Sequence, residues 1–173
     1  YMIALDNGDP TIESDFRDEL YELDAPFEGE ANAIFKSINR LSGIIWGDKN
    51  NAIAIDYWVK NRNEKTYLFN PSNVNQEPKI IYDRNYQDRY SDPGSFLTER
   101  NIYNKNVLKI ESNSLILIGD GYSEKGQFPF IDKLTLNDFS SNRIYKSSYT
   151  NKLEDILDFD IKKNQLFVRI ESK

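Results

Sequence analysis

Among the 173 residues there is no histidine and no cysteine, so the groups left to do chemistry are carboxylates, hydroxyls, amides, amines and guanidiniums. A Ser-His-Asp triad or a Cys-His pair needs an imidazole to take the proton from the nucleophile. Zinc sites draw their ligands mainly from Cys and His. Neither can be assembled inside this chain, so no catalytic, cofactor-binding or metal-ligating residue is assigned, and no cofactor is expected. The serines do not rescue the case. Gly94-Ser95-Phe96 and Gly121-Tyr122-Ser123-Glu124 both miss the G-x-S-x-G spacing of a nucleophile elbow.

Three other groupings have the residue types for a site. Asp56, Glu64 and Asp120 could supply a carboxylate pair of the glycosidase kind, which needs a separation of about 5–10 Å. Sequence does not say which of the 28 acids converge. Asp83-Arg84-Asn85-Tyr86-Gln87-Asp88 alternates oxygen ligands as a calcium loop would. An EF-hand loop needs Gly sixth and a bidentate Glu twelfth, where this chain has Asp88 and Gly94. A polar connection whose side chains bond the local backbone is the plainer reading. Tyr57-Trp58, with Tyr67 and Phe69, could form an aromatic platform for a sugar or peptide. In so apolar a run the simpler expectation is core, with Trp58→Ala costing about 3–5 kcal/mol. Asn70-Pro71-Ser72 is not a glycosylation acceptor, because proline occupies its middle position.

The elements that must carry these residues are short strands between turn clusters. Ile44–Trp46 is a brief apolar element closed by Gly47–Asn51. Ala52–Val59 is a nearly continuous apolar run, as in a strand covered on both faces. Lys65–Phe69 returns after the turn at residues 61–64, and Lys79–Tyr82 follows the Asn/Ser/Pro loop of residues 70–77. Four sequential antiparallel strands make a β-meander. A second series comprises Phe96–Thr98, Val107–Glu111, Leu115–Ile118, Phe130–Leu136 and Arg143–Tyr145, with a glycine-containing loop at Gly119–Gly126. A third begins with Ile156–Ile161 and Gln165–Ile170. Starts near residues 44, 96 and 154 give a rough period of 50–60 residues, and a weak period of about 40–50 with four strands per unit is the signature of propeller blades. In the N-terminal region two readings compete. Asp9-Pro10 could open a helix with Ile12, Phe16 and Leu20 on one face. Glu19–Leu23 and Ala33–Lys36 could instead be strands of a preceding blade, which agrees better with the strand-rich chain downstream.

Composition bounds the rest. One domain's length and eleven Tyr, ten Phe and two Trp are enough for a packed core. No apolar run reaches the ~20 residues of a membrane span, so a membrane partner is not expected. No signal-peptide core is visible, while the opening on Tyr1-Met2-Ile3-Ala4 leaves a removed leader as an open alternative. Residues 1–30 carry ten acids and one base, while the remainder carries 21 bases and 18 acids. A net charge of −6 without a basic cluster argues against a nucleic-acid partner. The acidic segment could attract a basic partner, although a solvated face is the plainer reading.

Several motifs together resemble a known family. They are Trp46-Gly47, Tyr57-Trp58, Arg62 with Lys65-Thr66, Asp83-Arg84, and Asp88 with Tyr90 and Ser91-Asp92-Pro93-Gly94-Ser95. Gly126-Gln127-Phe128-Pro129-Phe130, Arg17-Asp18 and Ala25-Pro26-Phe27 extend the match. The pattern is similar to the propeller of prolyl oligopeptidase-family serine peptidases, in their glutamyl endopeptidase-like branch. That resemblance implies an all-β fold: a partial β-propeller of four-stranded antiparallel blades, an open arc of about two whole blades with a part-blade at each end. The expected division is 1–42 part-blade, 43–95 blade, 96–150 blade and 151–173 part-blade. It further implies a non-catalytic segment that restricts access to an α/β-hydrolase domain of the same parent chain, with peptides as the parent's substrates. A periplasmic or secreted location is implied too, with the cytoplasm also open. The alternatives are a self-standing propeller-like binding module and a carbohydrate-active β-protein. This chain alone is expected to lack peptidase activity. Cut blade faces and the strand edge at Gln165–Ile170 are expected to make the isolated chain self-associate.

Overall fold

Turn-forming residues recur every few positions, and the chain between them is extended throughout. The computed structural model describes residues 1–172, which leaves the last residue of the expected part-blade 151–173 outside the described region. All regular elements among the described residues are β-strands, paired antiparallel in several small sheets, with no helix. The chain divides into two compact units, Tyr1–Gln87 with Asn104–Val107, and Asp88–Tyr103 with Leu108–Lys173.

In the first unit, β1 (Met2–Ala4), β2 (Asp18–Glu22) and β3 (Asn32–Ser37) form a three-stranded sheet in that order. The helical alternative for the N-terminal region fails here. Asp9 accepts hydrogen bonds from the Thr11 backbone N–H at 2.8 Å and the Thr11 hydroxyl at 2.7 Å, but only a turn forms. Residues such as Thr11, Ser14 and Asp15 compete with the helical backbone rather than support it. The strands β4 (Arg40–Asp48), β5 (Asn51–Trp58), β6 (Asn63–Phe69) and β7 (Lys79–Asn85) then make a four-stranded meander in sequence order. Ala52, Ile53 and Ala54 are consecutive and wholly buried, so β5 is covered on both faces. Phe35 of β3 packs on Tyr67 and Phe69 of β6 with centroids 5.2 and 4.9 Å apart, joining Ile34, Ala52 and Ala54 in one core. Burying each large side chain here stabilises the fold by about 1.5–3 kcal/mol.

The acidic N-terminal segment is only partly a solvated face. Asp6, Asp18 and Glu19 are buried. Asp6 is gripped by Arg17 and Arg40, both at 2.6 Å, and Arg40 also reaches Asp18 at 2.8 Å. Glu19 pairs across the strands with Lys36 at 3.3 Å. Three of the ten acids therefore act as internal ties between β2, β3, β4 and the preceding turn, where a lost partner would leave a buried charge unpaired.

In the second unit, β8 (Ser95–Phe96) and β11 (Ile110–Glu111) lie against β12 (Ser114–Gly119), followed by β15 (Phe130–Thr135) and β16 (Ser141–Lys146). β8 faces Leu117 and Ile118 while β11 faces Ser114 and Leu115. The first row of this sheet is therefore one line built from two separated strands. Between them in sequence come β9 (Thr98–Arg100) and β10 (Asn106–Leu108), of which Asn106 and Val107 belong to the first unit. The expected loop Gly119–Gly126 contains a hairpin of β13 (Tyr122–Ser123) and β14 (Gly126–Gln127). A final two-stranded sheet pairs β17 (Lys152–Asp160) with β18 (Gln165–Ser172). Phe159 of β17 packs with Ile116 and Ile131, which ties this hairpin to the larger sheet.

Candidate functional site

The three groupings singled out by sequence end in different surroundings. Asp56 is fully buried and saturated. It accepts from the Asn39 backbone N–H at 2.8 Å, Asn39 Nδ2 at 3.0 Å, the Lys65 N–H at 3.2 Å and the Tyr67 hydroxyl at 2.7 Å. Burial, with the hydrogen bond to Asp56, pushes the Tyr67 phenol far up from its ordinary value. Glu64 is held by Arg84 at 2.9 Å across β6 and β7. Asp56 has no route to a sugar, so Asp56 and Glu64 serve structure; Asp120 is exposed in the second unit. Among the described residues no group of three or more acids is placed to hold a metal ion. Residues 83–85 belong to β7, and Asp83 is drawn below the usual carboxylate range by hydrogen bonds from Lys65 and Asn63. Beyond it the polar connection bonds its own backbone: the N–H groups of Gln87, Tyr90 and Gly94 donate to Asn85, Asp88 and Asp92.

The aromatic group splits. Tyr67 and Phe69 are core, but Tyr57 is 41% exposed and meets Tyr86 edge-on with centroids 6.0 Å apart. Trp58 is partly buried beneath the Arg17 guanidinium, 3.9 Å from its ring. The apolar run thus leaves the core at its last residues, where the ion cluster of Asp6, Arg17 and Arg40 takes over the cover.

A different set of residues forms a concave surface of mixed polar and aromatic character in the second unit, a cleft of about 680 Å³. Its floor is built by register. Phe130 sits opposite Lys146, and a bulge in the β15–β16 ladder brings Asp132 opposite Arg143. The Arg143 guanidinium lies 3.8 Å from the Phe130 ring and forks Asp132 through Nε at 2.8 Å and Nη2 at 3.0 Å. Lys146 stands 5.7 Å over Phe128. Opposite, the β13–β14 hairpin and Tyr90-Ser91-Asp92-Pro93 form the walls, and Arg89 stacks 3.6 Å above Tyr122. Glycines permit this closeness. A Cβ on Gly119 would fall 2.3 Å from the Phe130 ring, and one on Gly121, whose φ is +66°, would fall 1.9 Å from the Phe128 carbonyl.

The arrangement can bind but has no activated nucleophile. The Ser123 hydroxyl donates to the Gly126 carbonyl at 2.9 Å and the Ser91 hydroxyl to the Asp88 carbonyl at 3.4 Å; no imidazole exists to take a proton. What the lining offers is the Arg143 guanidinium on Phe130 and the Lys146 ammonium over Phe128, each worth about 0.5–1 kcal/mol where exposed, beside hydroxyls and carboxylates. Such a lining suits polar, peptide-like groups. Sequence reasoning misses it because its members come from three separated segments; the one local signal is the motif Gly126-Gln127-Phe128-Pro129-Phe130, which supplies part of the lining.

No protein-family model matches the chain, and no solved structure does. Two curated proteins do match. A probable glutamyl endopeptidase, chloroplastic, of Oryza sativa subsp. japonica is 32% identical over 159 residues, covering 88% of this chain and 17% of that protein. Its counterpart of the same description in Arabidopsis thaliana is 31% identical over 160 residues, with the same two shares. The chain therefore spans only a small part of the length of these relatives. By sequence, most of the chain is similar to one part of these two proteins, each described as a probable glutamyl endopeptidase.

Proposed function

We propose that this chain is a non-catalytic β-propeller segment of a prolyl oligopeptidase-family serine peptidase, restricting substrate access to an α/β-hydrolase domain elsewhere in the parent protein. The observation that carries the reading is the match of 88% of this chain to a small part of proteins described as peptidases. The four-stranded meander β4–β7 and the sheet of β8 with β11, β12, β15 and β16 support it, since each has the strand order of a blade. The proposed division is 1–42, 43–95, 96–150 and 151–173. Steric exclusion by such a ring favours peptides over folded proteins, and the cleft around Arg143 and Lys146 is the proposed place where a passing peptide is touched.

The proposed location is periplasmic or secreted, by resemblance to the family; the two plant relatives are described as chloroplastic. Self-association of the isolated chain is also proposed. Leu157 and Phe167 of the β17–β18 hairpin are 63% and 51% exposed, and apolar surface of that kind recruits partners. The test of the main reading is cleavage by the parent protein with and without a disulfide or cross-link locking its blades. Short peptides cleaved and folded proteins spared without the lock, with peptide cleavage slowed when the lock is closed and restored when it is released, is the expected result. A parent protein lacking a G-x-S-x-G elbow and a later histidine would overturn the reading.

A further inference from the structure

A groove in the first unit, separate from the cleft, is walled by a strand edge. β3 is the terminal strand in the order β1-β2-β3, so among the described residues one of its sides has no strand paired beside it. Ala33, Ile34, Phe35 and Lys36 all line a groove of about 430 Å³. A strand face would contribute only alternate residues; four consecutive ones mean that the groove runs along the backbone edge. The opposite wall is apolar, with Tyr67 and Phe69 from one face of β6, Ile80 of β7, and Val74 and Pro78 of the preceding loop.

Edges of this kind are ordinarily blunted by charges or proline. The one charge on β3 is Lys36, and its ammonium is turned to Glu19 on β2 at 3.3 Å. The groove mouth is apolar as well: Val74 is 56% exposed and Ile80 43%. The charge around it is acidic on balance, with three exposed glutamates against Lys79, which lies between Pro78 and Ile80. Glu77 lines the groove, and the exposed Glu28 and Glu30 lie just before β3.

We infer that the β3 edge accepts an extended peptide strand from a protein partner, with alternating β-branched side chains over the groove and basic residues at its ends. The added strand would use the free side of β3 for main-chain hydrogen bonds, the exposed Val74 and Ile80 for its inward side chains, and Glu77 for a terminal cation. This inference does not depend on the peptidase reading, since it concerns the first unit of the chain by itself.

The test uses this chain and a fluorescent heptapeptide of alternating Val and Thr flanked by Lys. Fluorescence anisotropy should show saturable binding, with amide hydrogen exchange slowed at Ala33–Lys36. N-methylation of alternate peptide amides removes main-chain donors while keeping the side chains, and should weaken binding about tenfold or more. Replacing the flanking Lys by Glu should weaken it too, and Glu77→Lys, a change at an exposed loop residue, should abolish that preference. No saturable binding at millimolar peptide, unchanged exchange at Ala33–Lys36, or equal binding of the N-methylated peptide would overturn the inference.

Discussion

Replacing Asp56 by Ala should unfold the first unit far more readily than replacing any of its partners. The carboxylate accepts four hydrogen bonds, from the Asn39 backbone and side chain, the Lys65 backbone and the Tyr67 hydroxyl, and is itself inaccessible to solvent. Truncation leaves at least three donors facing a dry void. Each unsatisfied buried donor costs about 1–3 kcal/mol. Because the donors share one acceptor, their losses do not add fully, and the expected total is about 4–5 kcal/mol, the upper end for breaking a buried charged network. Tyr67→Phe removes one donor to Asp56 and the long 3.4 Å acceptor of the Ile38 N–H, and leaves three donors on the carboxylate, so about 1.5–2 kcal/mol is expected. Asp56→Asn keeps the shape but must turn one amide hydrogen toward a donor, and should fall between the two. Both tryptophans, Trp46 and Trp58, lie in the first unit. Urea unfolding followed by tryptophan fluorescence therefore reports that unit directly. An Asp56→Ala cost below about 1 kcal/mol, or one equal to that of Tyr67→Phe, would mean that the network is not what holds β3–β6 together.

The same geometry fixes three other expected outcomes. The carboxyls of Asp6 and Asp83 are lowered: burial raises Asp6, but the hydrogen bonds from Arg40 and Arg17 outweigh it, and Lys65 and Asn63 lower Asp83. Their stabilisation is therefore complete above the ordinary carboxylate value near ~3.9 and is lost as pH falls through the lowered ones, and Asp6→Asn should flatten that acid limb in urea titrations. Tyr145 is pushed up to about 12 by burial and by its hydrogen bond to Glu154 at 2.6 Å. Its contribution is present below the ordinary tyrosine value of about 10 and lost as pH rises through the raised one, which phenolate absorbance in the wild type and Tyr145→Phe would reveal. Gly121→Ala combines a positive φ with a Cβ 1.9 Å from the Phe128 carbonyl, so thermal unfolding of the second unit should show a loss well above about 1 kcal/mol.

Much of the fold was legible because local rules and burial agreed. The run at Ala52–Val59 reads as a two-sided strand, and Ala52, Ile53 and Ala54 are buried as that requires. The same run hid the point where cover ends, since an apolar letter at Tyr57 does not reveal what lies over it. Ile44–Trp46 understated β4, which begins at Arg40 because Arg40 and Leu41 pair with Tyr57 and Asp56. The single row made by β8 and β11 could not be read, because their common neighbour is a strand later in the sequence. Charge patterning likewise showed an acidic segment but not that Asp6 and Arg40, 34 residues apart, meet in the interior. The cleft was invisible for a related reason. Arg143, Phe130 and Tyr122 acquire a common purpose only once a bulge and a hairpin bring them to one surface.

The most direct measurement is labelling with a serine-directed fluorophosphonate, read by peptide mass mapping, on this chain alone and on the longer peptidase proposed above as its parent. The expected result is no labelled serine within residues 1–173, and one stoichiometrically labelled serine in the parent, outside this segment. Stoichiometric labelling of Ser91, Ser95, Ser123 or any other serine of this chain, accompanied by peptide hydrolysis, would contradict a non-catalytic role.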